Sequence, residues 1–179
     1  MKYFFFVLSS LWLFASIAQQ SYFQQTVNTK IDVTLDDKKH FLHGVEEIEY
    51  VNQSKKELNF IIMHIWPNAY KNNTSALATQ LDENGEVDFH FANANDRGYI
   101  DSLSFEVDGK KITYTNYDGH QDIIKLNLGQ PIPPGGKVVI KTPFRVKITK
   151  GIYSRLGHIG ESYQITQWFP KPAVFDTAG

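Results

Sequence analysis

The chain has 179 residues, 42% of them hydrophobic and 14% aromatic, with 18 basic and 19 acidic side chains and a net charge of −1. That balance leaves no basic excess to attract nucleic acid or an anionic membrane surface. There is no cysteine, so no disulfide framework or thiol chemistry is available, and stability must come from a packed core.

The first element is a targeting segment. Met1 and Lys2 give a short basic start, residues 3–18 are almost wholly apolar, and Ser16-Ile17-Ala18 supplies small residues at a cleavage site. This pattern predicts a signal peptide over 1–18, cleaved after Ala18, and an exported chain, periplasmic or extracellular. The apolar run is too short for a spanning helix, which needs ~20 residues. No cysteine stands after it to carry a lipid, so no membrane association is expected after cleavage. The mature chain, 19–179, shows no repeat or linker and reads as one domain.

Strands dominate the mature chain. Ile31, Val33 and Leu35 alternate with polar residues, which predicts a half-buried strand. In the next run Leu42, Gly44, Glu46, Ile48 and Tyr50 share one face, and His43, Val45, Glu47, Glu49 and Val51 the other. Residues 58–66 are apolar on both faces and should form the most buried strand so far, central in its sheet. Residues 74–82 (TSALATQLD) are the one helical candidate, with Thr74 or Ser75 as cap and Leu77, Ala78 and Leu81 as the apolar stripe. A polar loop spans 84–98. Leu103, Phe105 and Val107 then form a strand, and Asp108-Gly109 marks a hairpin. Residues 122–128 form another strand, and PIPPGG at 131–136 an irregular turn. A long strand comes next, with Val138, Ile140, Thr142, Phe144, Val146 and Ile148 inward; Pro143 marks a bend or an edge within it. The last stretch, 162–176 (SYQITQWFPKPAVFD), opens as a strand with Tyr163, Ile165 and Gln167 alternating. It leaves the sheet through two prolines that hold the backbone extended. The fold class is all-β: an antiparallel sandwich or saddle-like sheet of about eight or nine strands, with one short helix.

Chemistry-bearing groups are sparse. His40 and His43 stand at an odd spacing, on opposite faces of a strand, and cannot share a metal. H-E-x-x-H is missing, as are a G-x-S-x-G elbow and a phosphate-cradling glycine loop. Asp88 with His90, and Asp118, His120 and Asp122, read as loop polarity, and His64 as a buried, hydrogen-bonded strand histidine. Glu47 and Glu49 make a solvated strand face. Trp66, Tyr70, Trp168 and Phe169 are either core aromatics or a platform for a sugar.

The ordered set IDVTL (31–35), LHGVEEIEYVN (42–52), FIIMHIWPNAY (60–70), DRGYIDSL (96–103), Arg155-Leu156-Gly157 and 163–176 resembles the N-terminal domain of the aminopeptidase N family of zinc metallopeptidases, in its bacterial secreted form. The resemblance spans nearly the whole mature chain. It implies a non-catalytic β-domain packed on a thermolysin-like catalytic domain of the same polypeptide. That domain would carry the zinc of the full-length enzyme; no cofactor is expected in these 179 residues, which taken alone should be inactive. It also implies that a glutamine late in the domain meets the peptide substrate. Gln167 matches that position best, Gln164 second. Trp168, Phe169 and Val174 would then form an interdomain surface. The family's catalytic H-E-x-x-H is not in this sequence, so the chain reads as a truncated part of a longer enzyme. The alternative is a free-standing secreted β-sandwich that binds carbohydrate or protein.

Overall fold

The computed structural model describes residues 23–176; the expected signal peptide lies outside the described residues. Twelve strands form among them. They are β1 (Thr26–Asp36), β2 (Phe41–Val51), β3 (Leu58–His64), β4 (Tyr99–Asp101), β5 (Glu106–Val107), β6 (Lys110–Lys111), β7 (Tyr114–Asn116), β8 (Ile123–Ile132), β9 (Lys137–Lys147), β10 (Leu156–Ile159), β11 (Ser162–Ile165) and β12 (Lys171–Pro172). One helix, α1 (Ala76–Glu83), joins them. All strand pairings between them are antiparallel, so the fold is all-β. The excess over eight or nine strands comes from two- and three-residue pairings that leave little trace in an alternation pattern.

The larger sheet runs β1-β2-β9-β5-β6, with β4 also on β9; the second runs β12-β3-β8-β7; β10 and β11 pair as a separate hairpin. The two larger sheets share one core. Leu42, Ile48, Tyr50, Ile140, Phe144 and Val146 come from the first, and Ile61, Met63, Ile124 and Leu126 from the second. β2 and β9 pair without interruption over eleven residues each. Gly44 is required there: the Phe144 ring lies 2.3 Å from where a Cβ would stand. Pro143 breaks no ladder, because it faces the gap where β5 has ended and β4 has not begun. Asp108 and Gly109, with φ of 49° and 76°, form the expected hairpin turn between β5 and β6.

Asn52 ties the two sheets together at one corner. Its fully buried side-chain amide donates to the carbonyls of Lys56 (2.8 Å), Ile132 (2.9 Å) and Pro133 (3.1 Å), and its Oδ1 accepts from Ser54 Oγ (2.7 Å). Both of its backbone groups bond across to the 135–136 turn.

Four expectations are corrected. β1 is an edge strand with Val33 and Leu35 exposed, because its partner's opposite edge is taken by β9 and no described strand pairs with its own. β3 is central, but only Ile61 and Met63 face inward; Phe60 is 42% exposed and Ile62 half-buried, since a strand period of two gives one face to the core. Pro131 and Ile132 belong to β8, Ile132 pairing Leu58, so the irregular turn begins at Pro133. The strand over 103–107 shrinks to β5, because Ser102 takes a left-handed φ of 61°.

Candidate functional site

The closing stretch does not continue as a strand to Gln167. β11 stops at Ile165, and Gln167 adopts a left-handed φ of 54°. Few non-glycine residues sit there, because Cβ crowds the backbone. The turn sends Gln167 and Trp168 in different directions. Gln167, half-buried, lines a cavity of about 330 Å³ with Trp66, Tyr70, Asp122, Ser154 and Arg155. Trp168 turns onto the core, its ring 5.8 Å from that of Phe144 and 5.1 Å from Phe169.

The other wall is built by local sequence rules. β3 ends at His64, and Pro67 stands at the second position of a short 3-10 helix, Trp66–Tyr70, in the first turn, where the missing N–H of proline costs no helical bond. Asn68 pins this turn by donating to the Gln121 carbonyl and accepting from the Ile100 amide (3.0 Å). Ser75 caps α1, accepting from the Ala78 amide at 3.0 Å while its hydroxyl donates to the Ala69 carbonyl at 2.6 Å. Tyr70 is buried and its hydroxyl accepts from the Arg155 amide at 3.1 Å, which joins the turn to the segment leading into β10. The result is a shallow amphipathic groove. Trp66 and Tyr70 give it apolar walls, Asp122 an anionic group, Arg155 a cationic one, and Gln167 a neutral donor and acceptor. Such a set suits a short polar ligand carrying an ammonium group and a carbonyl, such as one end of a peptide.

Gln164 is exposed on β11 and donates to the Ser154 carbonyl at 3.3 Å, beside the groove but outside its lining. Phe169 is half-buried against the core, and Val174 is 64% exposed. The aromatics singled out by sequence thus divide: Trp66 and Tyr70 line the groove, while Trp168 and Phe169 pack inward. Asp122 and Arg155 were not legible as partners, since they come from segments 33 residues apart that only the tertiary fold joins.

One histidine departs from expectation, and the exposed His90 keeps the loop polarity expected of it. His64 is half-buried and stacks on Trp66 with centroids 4.7 Å apart, but its Nδ1 finds no partner among the described residues. Burial lowers its pKa, helped by Lys171 and opposed by Asp122. His90 pairs with Asp82 at 3.1 Å, not with Asp88. Glu47 and Glu49 are on the exposed face, each bonded to a lysine, at 2.7 and 2.9 Å. Glu46 is 1% exposed with neither oxygen partnered among the described residues, and burial pushes its pKa up to about 8. The alternation of β2 already put it on the apolar face; burial in the core favours its protonated form.

No group of three or more histidine and acidic side chains that could hold a metal ion occurs among the described residues. No helix among them is long and apolar enough to cross a membrane. No protein-family model matches the chain, and no curated protein matches it.

Proposed function

We propose that this chain is the non-catalytic N-terminal β-domain of an exported zinc aminopeptidase-like enzyme. In this reading it packs on a catalytic domain of the same polypeptide, which holds the zinc, and lines the rim of the peptide-substrate cleft. The observation that carries the reading is Gln167. A non-glycine residue in a left-handed conformation, at the mouth of a groove with one acidic and one basic side chain, is the kind of local strain found where a side chain must be presented. The position is also the one that the sequence resemblance assigns to the substrate-contacting glutamine. Gln167 would bind the end of the peptide through its amide, with Asp122 suited to an ammonium group. Bond cleavage would belong wholly to the catalytic domain.

Reading the gene and transcript beyond the Gly179 codon tests this. The expected result is continued coding sequence with H-E-x-x-H on a predicted helix and a glutamate further on. A stop codon directly after Gly179 would contradict the proposal and favour a free-standing binding module.

A further inference from the structure

A second cluster lies away from the groove, at the junction of three segments. His40 ends the turn between β1 and β2 and itself takes a left-handed φ of 58°. Its ring lies parallel to that of His158 on β10, with centroids 3.6 Å apart and planes 16° from parallel. His40 Nδ1 is 2.7 Å from the Tyr163 hydroxyl on β11, and that hydroxyl is 3.4 Å from the Asp37 carbonyl. His158 Nδ1 is 3.1 Å from the Gly160 carbonyl, which can only accept, so neutral His158 carries its proton on Nδ1.

We propose that the stacked rings of His40 and His158, with Tyr163, form a proton-operated latch that clamps the tip of the β10–β11 hairpin on the domain at neutral pH and releases it when both rings are protonated. The hairpin is a sheet of its own, so it lacks the ladder that secures the other strands. Leu156, 1% exposed, roots its base in the core. Its tip is held by this cluster and by two backbone bonds, Gly151 N–H to the His158 carbonyl and His158 N–H to the Thr149 carbonyl, at 2.8 and 2.9 Å.

One proton can be accommodated. A protonated His40 donates from Nδ1 to the Tyr163 oxygen, and the hydroxyl turns to the Asp37 carbonyl. A second proton, on a ring 3.6 Å away, sets two like charges face to face. The surroundings add to that repulsion. The adjoining cavity, about 400 Å³, is lined by Lys39, Lys147 and Lys150 against one carboxylate, Asp96. Asp37, Glu161 and Asp36 act on the Tyr163 hydroxyl. His158 resists protonation: burial holds its pKa below the usual imidazole value, and the His40 ring and Lys150 push the same way, against the Gly160 carbonyl and Asp96. Histidine is the side chain whose charge changes in the pH range an exported protein would meet. The latch does not depend on the peptidase reading. If that reading holds, the freed hairpin leads directly into Gln167.

Amide hydrogen exchange on the intact chain at pH 7.5 and pH 5, corrected for intrinsic rates, reads the latch. Protection of the Gly151 and His158 amides should fall by about tenfold or more at pH 5, while Ile61 in β3 and Val146 in β9 keep theirs. His158→Phe keeps a stacked ring without a titrating group, and its tip should hold equally well at both pH values. Should that variant not fold, His40→Asn serves, since asparagine tolerates the left-handed backbone; its tip should be poorly protected at both pH values. Equal protection of the parent's Gly151 and His158 amides at pH 7.5 and 5 would overturn the proposal. So would a tip in the folded variant that still loosens with acid as the parent does.

Discussion

The β2–β9 pair and the segment from β10 to β12 represent opposite ways of using sequence. β2 and β9 match over eleven residues each, with Ile48, Ile140, Phe144 and Val146 all within 2% of full burial. From β10 onward the pairings last four residues and then two, and between them stand a left-handed glutamine, two half-buried aromatics and one buried proline. The first region is held by area removed from water and tolerates a liability in its midst, Glu46, which has no partner among the described residues. The second is held by individual contacts: Tyr70 to Arg155, Trp168 to Phe144, the Ala173 amide to Ile62. The difference teaches that the frame can absorb a buried acid because so much else pins it, while the side chains that line the groove sit where few other constraints act on them.

Breaking the frame should have the largest effect, and only on the inward parity. Met63→Ala should lower stability by about 2–5 kcal/mol through lost transfer energy and a cavity, whereas Phe60→Ala, on the outer face of the same strand, should change it by less than about 1 kcal/mol. Chemical denaturation of the pair checks the register; similar losses would refute it. Next comes the corner. Asn52→Ala removes the donor to three carbonyls and the acceptor for Ser54, and should cost about 2–4 kcal/mol by the same measurement.

Glu46 offers a pH test. Its pKa is about 8 when folded against an ordinary 4.5, so the native state holds the proton more tightly than the unfolded chain. Its contribution is therefore fully present below about 4.5, is lost as pH rises toward about 8, and is constant above that. Glu46→Met should flatten this slope and gain about 2–4 kcal/mol at pH 8.5, with a much smaller gain at pH 5, read from denaturation midpoints at the two pH values. His64 and His158 act in the other direction. Their lowered pKa values make folding less favourable as pH falls below the usual 6.5, so they work against Glu46 only in acid. The smallest effect belongs to the second region. Gln167→Gly relieves the left-handed backbone and should leave thermal stability unchanged or raised by about 0.5–1 kcal/mol. A clear loss on melting would give Gln167 a structural role instead.

Much of the frame was legible in the sequence, because a period of two over eleven residues is a long signal. The faces of β2 and β9, the Asp108-Gly109 turn and the Ser75 cap all come from it or from turn chemistry. What failed was local. β1 carries the same alternation as a buried strand, but its position at the edge is decided by which strands occupy its partner. The apolar residues on both faces of β3 hid which face was inward, and Phe60 was the wrong one. For the groove, the sequence resemblance singled out Gln167, but parity placed it in a strand that had already ended. Asp122 and Arg155 had no local pattern to reveal them. Glu46 was readable by parity alone; what no pattern could supply was that no described residue partners its carboxyl across the core.

The central claim is that Gln167 meets the end of a peptide. Its side-chain amide resonances, tracked by NMR while the chain is titrated with a short peptide bearing a free amino terminus and then with the N-acetylated peptide, test it most directly. The free peptide should shift the Gln167 amide and the Trp66 indole together, the acetylated peptide should do so several-fold more weakly, and Gln167→Gly should lose the response without unfolding. Equal shifts from both peptides, or shifts confined to residues away from the groove, would contradict it.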